Sequence, residues 1–220
     1  MDSRAREGAY KLVLALVVTF GLAALPIYWT TRLWGFDRLV GPRNAHAYMV
    51  LLVGIALTCY NPDAFGVRLG RRRDHARAWW LYAIGFGFLS VYVPAFTLAD
   101  PFYQPRPSSI GLFTIGPLAE ELIFRGFLFA VLVDLAGDRY NPRKLLTAPV
   151  IWNGVLFGLW HLGPLYRAAI EGTTADLWQV PVRVVVTGAG GLYLAALREK
   201  TGSIVGPTVL HMLFNLLAGW

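Results

Sequence analysis

Apolar residues in this chain run in long blocks separated by short charged stretches. Seven blocks stand out: Lys11–Trp29, Ala45–Tyr60, Ala78–Leu98, Ile110–Val133, Leu145–Tyr166, Leu177–Leu197 and Ser203–Trp220. A bilayer core of about 30 Å takes about 20 apolar residues in a helix, so each block is read as a membrane helix. The second and seventh are short for a full crossing. Pro94, Pro117, Pro149 and Pro181 lie inside the blocks or near their ends. Proline is tolerated there because neighbouring helices re-satisfy the freed carbonyls. Trp29, Trp34, Trp79, Trp80, Trp178 and Trp220 fall near block ends, as an interfacial aromatic belt requires. The stretch from Thr187 to Leu197 is rich in small residues, which suits close helix packing. The pattern predicts an all-α polytopic membrane protein with about seven transmembrane helices, built as a single integral membrane domain over residues 1–220.

Composition agrees. Of 220 residues, 56% are apolar and only 15% charged, against about 25% in an ordinary soluble domain. Mean hydropathy is +0.50. The net charge of +7 does not indicate a nucleic-acid partner, because the apolar content argues for a lipid bilayer and for Lys and Arg gathered on cytoplasmic loops. With seven spans, the side holding the N-terminus carries thirteen Lys and Arg and the other side five, Arg183 being left inside a span. The positive-inside rule then places the N-terminus in the cytoplasm and the C-terminus outside, in an inner, cytoplasmic-type membrane. Arg71–Arg73 serve as a topology anchor beside anionic lipid. Arg4, Arg6 and Lys11 before an apolar run look like a signal peptide, but more spans follow, so the run reads as a retained first helix. The single cysteine, Cys59, has no internal disulfide partner and is expected to pack in its apolar block.

One block contains residues that do not belong in lipid: Glu120, Glu121 and Arg125 in "GPLAEELIFRGFLFAVLV". Each charge at a helix centre costs about 2.5–3.5 kcal/mol on insertion scales, so they need partners. Glu121 and Arg125 are at i and i+4 and meet on one face. Glu120 is turned about 100° from Glu121, so it does not easily share the same contact and must look to another helix. A helix beginning or kinking at Pro117 places Glu120 in a first turn, where the helix dipole favours negative charge. Partners come from "FGLWH", with Phe157 and His161 at i and i+4, and "HMLFN", with His211 and Asn215 at i and i+4. Under the predicted topology Glu120, His161, His211 and Asn215 all lie in the outer half of the membrane, so one shared polar cavity is feasible. Plainer roles are open to each: the Glu121–Arg125 pair as a lock between helices, His161 as an interfacial polar residue, His211 and Asn215 as hydrogen-bonding glue. His46 and His75 are given no role.

Together, in this order, "EELIFR", "FGLWH" and "HMLFN" resemble the CPBP family, the CAAX-protease and bacteriocin-processing intramembrane proteases. The resemblance covers about residues 110–220 and leaves residues 1–109 as N-terminal helices without a recognised motif, with the catalytic cavity among the last four helices. It implies an intramembrane peptidase of the glutamic type, hydrolysing a peptide bond in a membrane-associated protein or peptide. Glu120 and His161 would activate water, His211 and Asn215 would line an oxyanion site, and Glu121, Arg125 and Phe157 would give structural support. The residue types suit that chemistry. An apolar cavity disfavours a charged carboxyl group and so favours proton exchange near neutrality. Histidine orients water, and Asn and His are donors for a developing oxyanion. No serine or cysteine motif suggests a covalent nucleophile. The mechanism is read as free of metal or other cofactors. The competing mechanism is a zinc-dependent one with Glu120, His161 and His211 as ligands, although His-Glu-x-x-His spacing is absent. Relatives that cut prenylated CAAX proteins act on cytosolic substrates. The charge count opens this site outward instead, which fits relatives of the sorting type that trim C-terminal tails or leaders of exported proteins. Two further classes stay open: a transporter, which would show inverted repeats, and a non-enzymatic binding or immunity protein.

Overall fold

The computed structural model describes residues 3–24, 42–99, 110–137, 145–162 and 179–218. Its elements are helices, with no strand among the described residues. They are α1 (Ser3–Ala24), α2 (Pro42–Tyr60), the short α3 (Arg72–Arg77), α4 (Trp79–Ala99), α5 (Ile110–Glu121), α6 (Phe129–Ala136), α7 (Ala148–Trp160), α8 (Gln179–Thr201) and α9 (Val205–Ala218). A π-helical segment, Leu122–Leu128, joins α5 to α6 without a break. Each apolar block therefore carries a helix. Among the described residues, however, no helix is long and apolar enough to cross a membrane. Helix α7 has 13 residues and rises about 20 Å, short of the block that predicted it. Trp29, Trp34, Trp178 and Trp220 lie outside the described residues, as do Arg32, Arg38, Arg106, Arg139, Arg143, Lys144 and Arg167 from the charge count. The cluster Arg71–Arg73 is exposed.

The rod formed by α5, the π segment and α6 is the centre of the bundle. It packs against α1, α2, α7, α8 and α9. Its buried side chains Ala119, Ile123, Phe124, Leu128 and Leu132 join Ala15 of α1, Val50 of α2 and Phe157 of α7 in one cluster. Phe129 meets Val150, Ala195 and Ala196 in a second cluster shared with α7 and α8. A third, of Ala78, Leu81, Leu194, Leu197 and Leu210, ties α4 and α9 to α8.

The small residues expected to allow close packing do so between α7 and α8. A Cβ on Gly154 would stand 2.7 Å from Leu192 Cβ, and one on Gly158 would stand 2.7 Å from the Val184 carbonyl oxygen. Any side chain there would force the two backbones apart.

Two expectations are corrected. Pro117 lies inside α5, which starts at Ile110 and runs through it. Glu120 is thus in the body of the rod, away from any helix N-terminus, and the irregularity in the rod is the π segment after the glutamates. Cys59 is exposed, because it sits on the outward side of the last turn of α2, where the inward position is taken by Thr58.

Candidate active site

Glu121 and Arg125 pair as their i, i+4 spacing predicts. Arg125 Nη1 lies 3.1 Å from Glu121 Oε1, and both side chains are 0% exposed. The contact is an ion pair slightly off the line of a directed hydrogen bond. Arg125 is held from two more sides. Its Nη2 donates to the Gly191 carbonyl of α8 at 3.3 Å. Its guanidinium carbon stands 4.1 Å from the centre of the Phe157 ring of α7, a cation–π contact in a dry site.

His211 enters from α9 and shares Glu121. Its Nδ1 is 2.8 Å from Glu121 Oε1. A carboxylate paired with arginine accepts only, so Nδ1 carries the proton and donates. The other nitrogen, Nε2, faces Glu120 Oε2 at 3.8 Å. Glu120 is 25% exposed at its side chain, so unlike Glu121 it opens to its surroundings.

Glu120 thus looks to another helix, as expected, while Glu121, besides pairing with Arg125, meets the other edge of the same imidazole. The ring offers a nitrogen on each of two edges, and it enters between them from another helix. Adjacent positions on α5 can then flank it from both sides.

His161 caps the C-terminus of α7. Its Nδ1 is 2.8 Å from the Phe157 carbonyl oxygen. A carbonyl only accepts, so Nδ1 bears hydrogen. The Phe157 ring stands between the two histidines, with ring centres 4.7 Å from His161 and 5.8 Å from His211. Glu120, Glu121, Arg125, Phe157, His161 and His211 thus form one connected cluster from α5, the π segment, α7 and α9. Asn215 lies one turn beyond His211 on the same face of α9 and is half-buried. Helical spacing alone places it at the cluster.

Three residues of this site were missed in the sequence. Gly191 provides the carbonyl for Arg125, and a Cβ on it would stand 2.8 Å from Phe157 Cδ1, so only glycine leaves room for that ring. Asn153, 0% exposed, donates through Nδ2 to the Phe124 carbonyl at 2.7 Å. Arg198 donates through Nε to the Arg125 carbonyl at 3.1 Å and through Nη2 to the Ala64 carbonyl at 3.1 Å. Its guanidinium fits against Gly66, which has φ of 67° and no side chain to obstruct it. A polar residue inside the apolar run "APVIWNGVLFGLW" was the available signal for Asn153.

Charges at the foot of α8 carry burial effects. Burial pushes the Arg198 guanidinium down to about 10, with Glu199 opposing the shift, so it stays charged at neutral pH. The Lys200 ammonium is also lowered by burial, again against Glu199. Glu199 Oε2 accepts from Thr147 Oγ1 at 2.5 Å.

Among the described residues no three His, Cys, Asp or Glu side chains are grouped to hold a metal ion. Both nitrogens of His211 face carboxylates of α5. A model of the type II CAAX prenyl endopeptidase Rce1-like family matches residues 102–217, more than half of the chain. That range contains all three sequence motifs. No curated protein matches the chain, and neither does any solved structure. With two paired glutamates, two histidines on separate helices and this family match, the chain belongs to the type II CAAX prenyl endopeptidase Rce1-like family, a family of integral membrane proteases.

Proposed function

We propose that this chain is an intramembrane endopeptidase of the glutamic type, crossing the bilayer about seven times with residues 110–220 as the catalytic core. The observation that carries the reading is the flanking of His211 by Glu120 and Glu121, with Phe157 linking it to His161. Glu120 accepts a proton from water as the water oxygen attacks the scissile carbonyl carbon. His161, with Nδ1 held by the Phe157 carbonyl, orients the same water through Nε2 and relays the proton that Glu120 took to the leaving amine nitrogen as the C–N bond breaks. His211 lines the oxyanion site with its Nε2 edge, its ring held in place by Glu121 at Nδ1. Asn215 supplies a donor from the next turn. Glu121 and Arg125 fix His211 and the Phe157 ring.

The substrate is a membrane-associated protein or peptide. The excess of Lys and Arg on the N-terminal side supports an N-terminus in the cytoplasm and a site opening outward. That favours tails or leaders of exported proteins over cytosolic prenylated ones. Fusion reporters at residues 100–107 and at the C-terminus test this, and activity only in the cytoplasm defeats it.

Mass spectrometry of membrane proteins from cells with wild-type chain and with Glu120→Gln tests the activity. New C-terminal or N-terminal fragments should appear with wild type alone. Identical fragment sets would reject the protease reading, leaving a transporter or a non-enzymatic binding protein. Cleavage that a chelator abolishes and zinc restores would replace the glutamate mechanism with a zinc one through Glu120, His161 and His211.

A further inference from the structure

We propose that Asn153 and Arg198 are positioning residues: by donating to two consecutive carbonyls of the π segment, they hold the register that turns Glu120 and Glu121 toward His211. The catalytic meaning of this inference rests on the function proposed above, but its geometry does not. The π segment is the one stretch of the central rod that departs from α-helical bonding. Across it the Phe129 N–H reaches back to the Phe124 carbonyl, five residues away. Such turns persist where something inserts into the helical ladder and engages its carbonyls.

Here two side chains do so, from two different helices. Asn153 of α7 takes the Phe124 carbonyl at 2.7 Å. Arg198 of α8 takes the Arg125 carbonyl at 3.1 Å. Both donors are buried, Asn153 fully and Arg198 to 7% exposure. Both bonds go to main-chain carbonyls, so these are positioning groups and not catalytic ones. Arg198 is itself fixed by the Ala64 carbonyl and by the Gly66 turn.

The consequence is rotational. A π turn takes up an extra residue, and one residue is worth about 100° of helix rotation. Below the segment, α6 is locked by buried Phe129 and Leu132. If the segment relaxed to α-helical bonding, α5 and α6 would rotate relative to one another, and Glu121 would shift against His211 Nδ1. The two donors thus set which way the glutamates face, by holding carbonyls three to five residues further along the rod.

The test uses full-length protein in nanodiscs with 15N-labelled histidine. The Nδ1 proton held by Glu121 should give a downfield resonance, assigned by its loss in His211→Gln. Asn153→Leu and Arg198→Met should each lose it or move it upfield while helix content and monomer elution are retained. The milder Asn153→Ser and Arg198→Lys serve if those variants fail to fold, with the same result expected. Cleavage of a membrane-anchored peptide should fall in kcat on the order of 100-fold, as a misplacement of about 1 Å produces, with KM nearly unchanged. An unmoved resonance in folded variants at both positions overturns the inference. A moved resonance in a protein whose wild type cleaves nothing sinks the protease reading and leaves this inference standing.

Discussion

Arg125 is the largest fully buried side chain among the described residues, and its replacement by methionine is the most demanding test of the site's architecture. Methionine fills much of the same volume, so the loss is mainly electrostatic. The Glu121 carboxylate would lose a cation at 3.1 Å in a place where neither side chain has any exposure. Its Oε2 already has no hydrogen-bond partner, so only His211 would remain to it. The Gly191 carbonyl would also lose its donor. Removing one partner of a buried ion pair costs about 3–5 kcal/mol. For a chain of this length that lowers Tm by about 6–20 °C. Thermal unfolding in detergent, followed by circular dichroism, measures it. The double variant Glu121→Gln/Arg125→Met should recover part of the loss, because no unpaired charge is then left buried, with a coupling of about 0.5–3 kcal/mol in the double-mutant cycle. If Arg125→Met unfolds within about 0.5 kcal/mol of wild type, the range of an unimportant surface change, the pair is not the lock described here.

Other outcomes follow from the same geometry. Glu120→Gln should change stability by less than about 1 kcal/mol, since Glu120 is partly exposed and its nearest basic nitrogen, His211 Nε2, is 3.8 Å away; unfolding in detergent checks this. Gly191→Ala should destabilise by about 1–3 kcal/mol by overpacking, because its Cβ would stand 2.8 Å from Phe157 Cδ1. It should also slow peptide cleavage, as the displaced ring presses on His161 and His211. Lys11→Met should leave thermal unfolding in detergent nearly unchanged, although Lys11 bridges Glu7 and Asp134 and so links α1 to α6, because all three side chains are exposed.

The helices were legible because apolar blocks are long and the charges between them sharp. The ends of α2 at Tyr60 and the start of α5 at Ile110 coincide with the block boundaries. The Glu121–Arg125 pair was legible because i, i+4 spacing is a local property of a helix. The partner of Glu120 was legible as one of the histidines of two later helices, of which His211 is the one it faces. Which face of His211 it meets depends on how α9 enters, and no local spacing records that. The π segment left no mark in "LIFRGFL", since it arises from donors on α7 and α8 far along the chain. The same holds for Arg198, which reads as an ordinary loop-end cation until its contacts with Ala64 and the Arg125 carbonyl are seen. Pro117 misled because a proline favoured at a first turn is also tolerated inside a packed helix.

The central claim is that Glu120 removes a proton from attacking water. Single-turnover cleavage of a membrane-anchored peptide by purified wild-type and Glu120→Gln protein, matched for folded content, tests it most directly. General-base catalysis contributes about 10²–10⁴-fold, so the variant should be slower by at least about 100-fold at unchanged peptide binding. A rate within a few-fold of wild type would contradict the account.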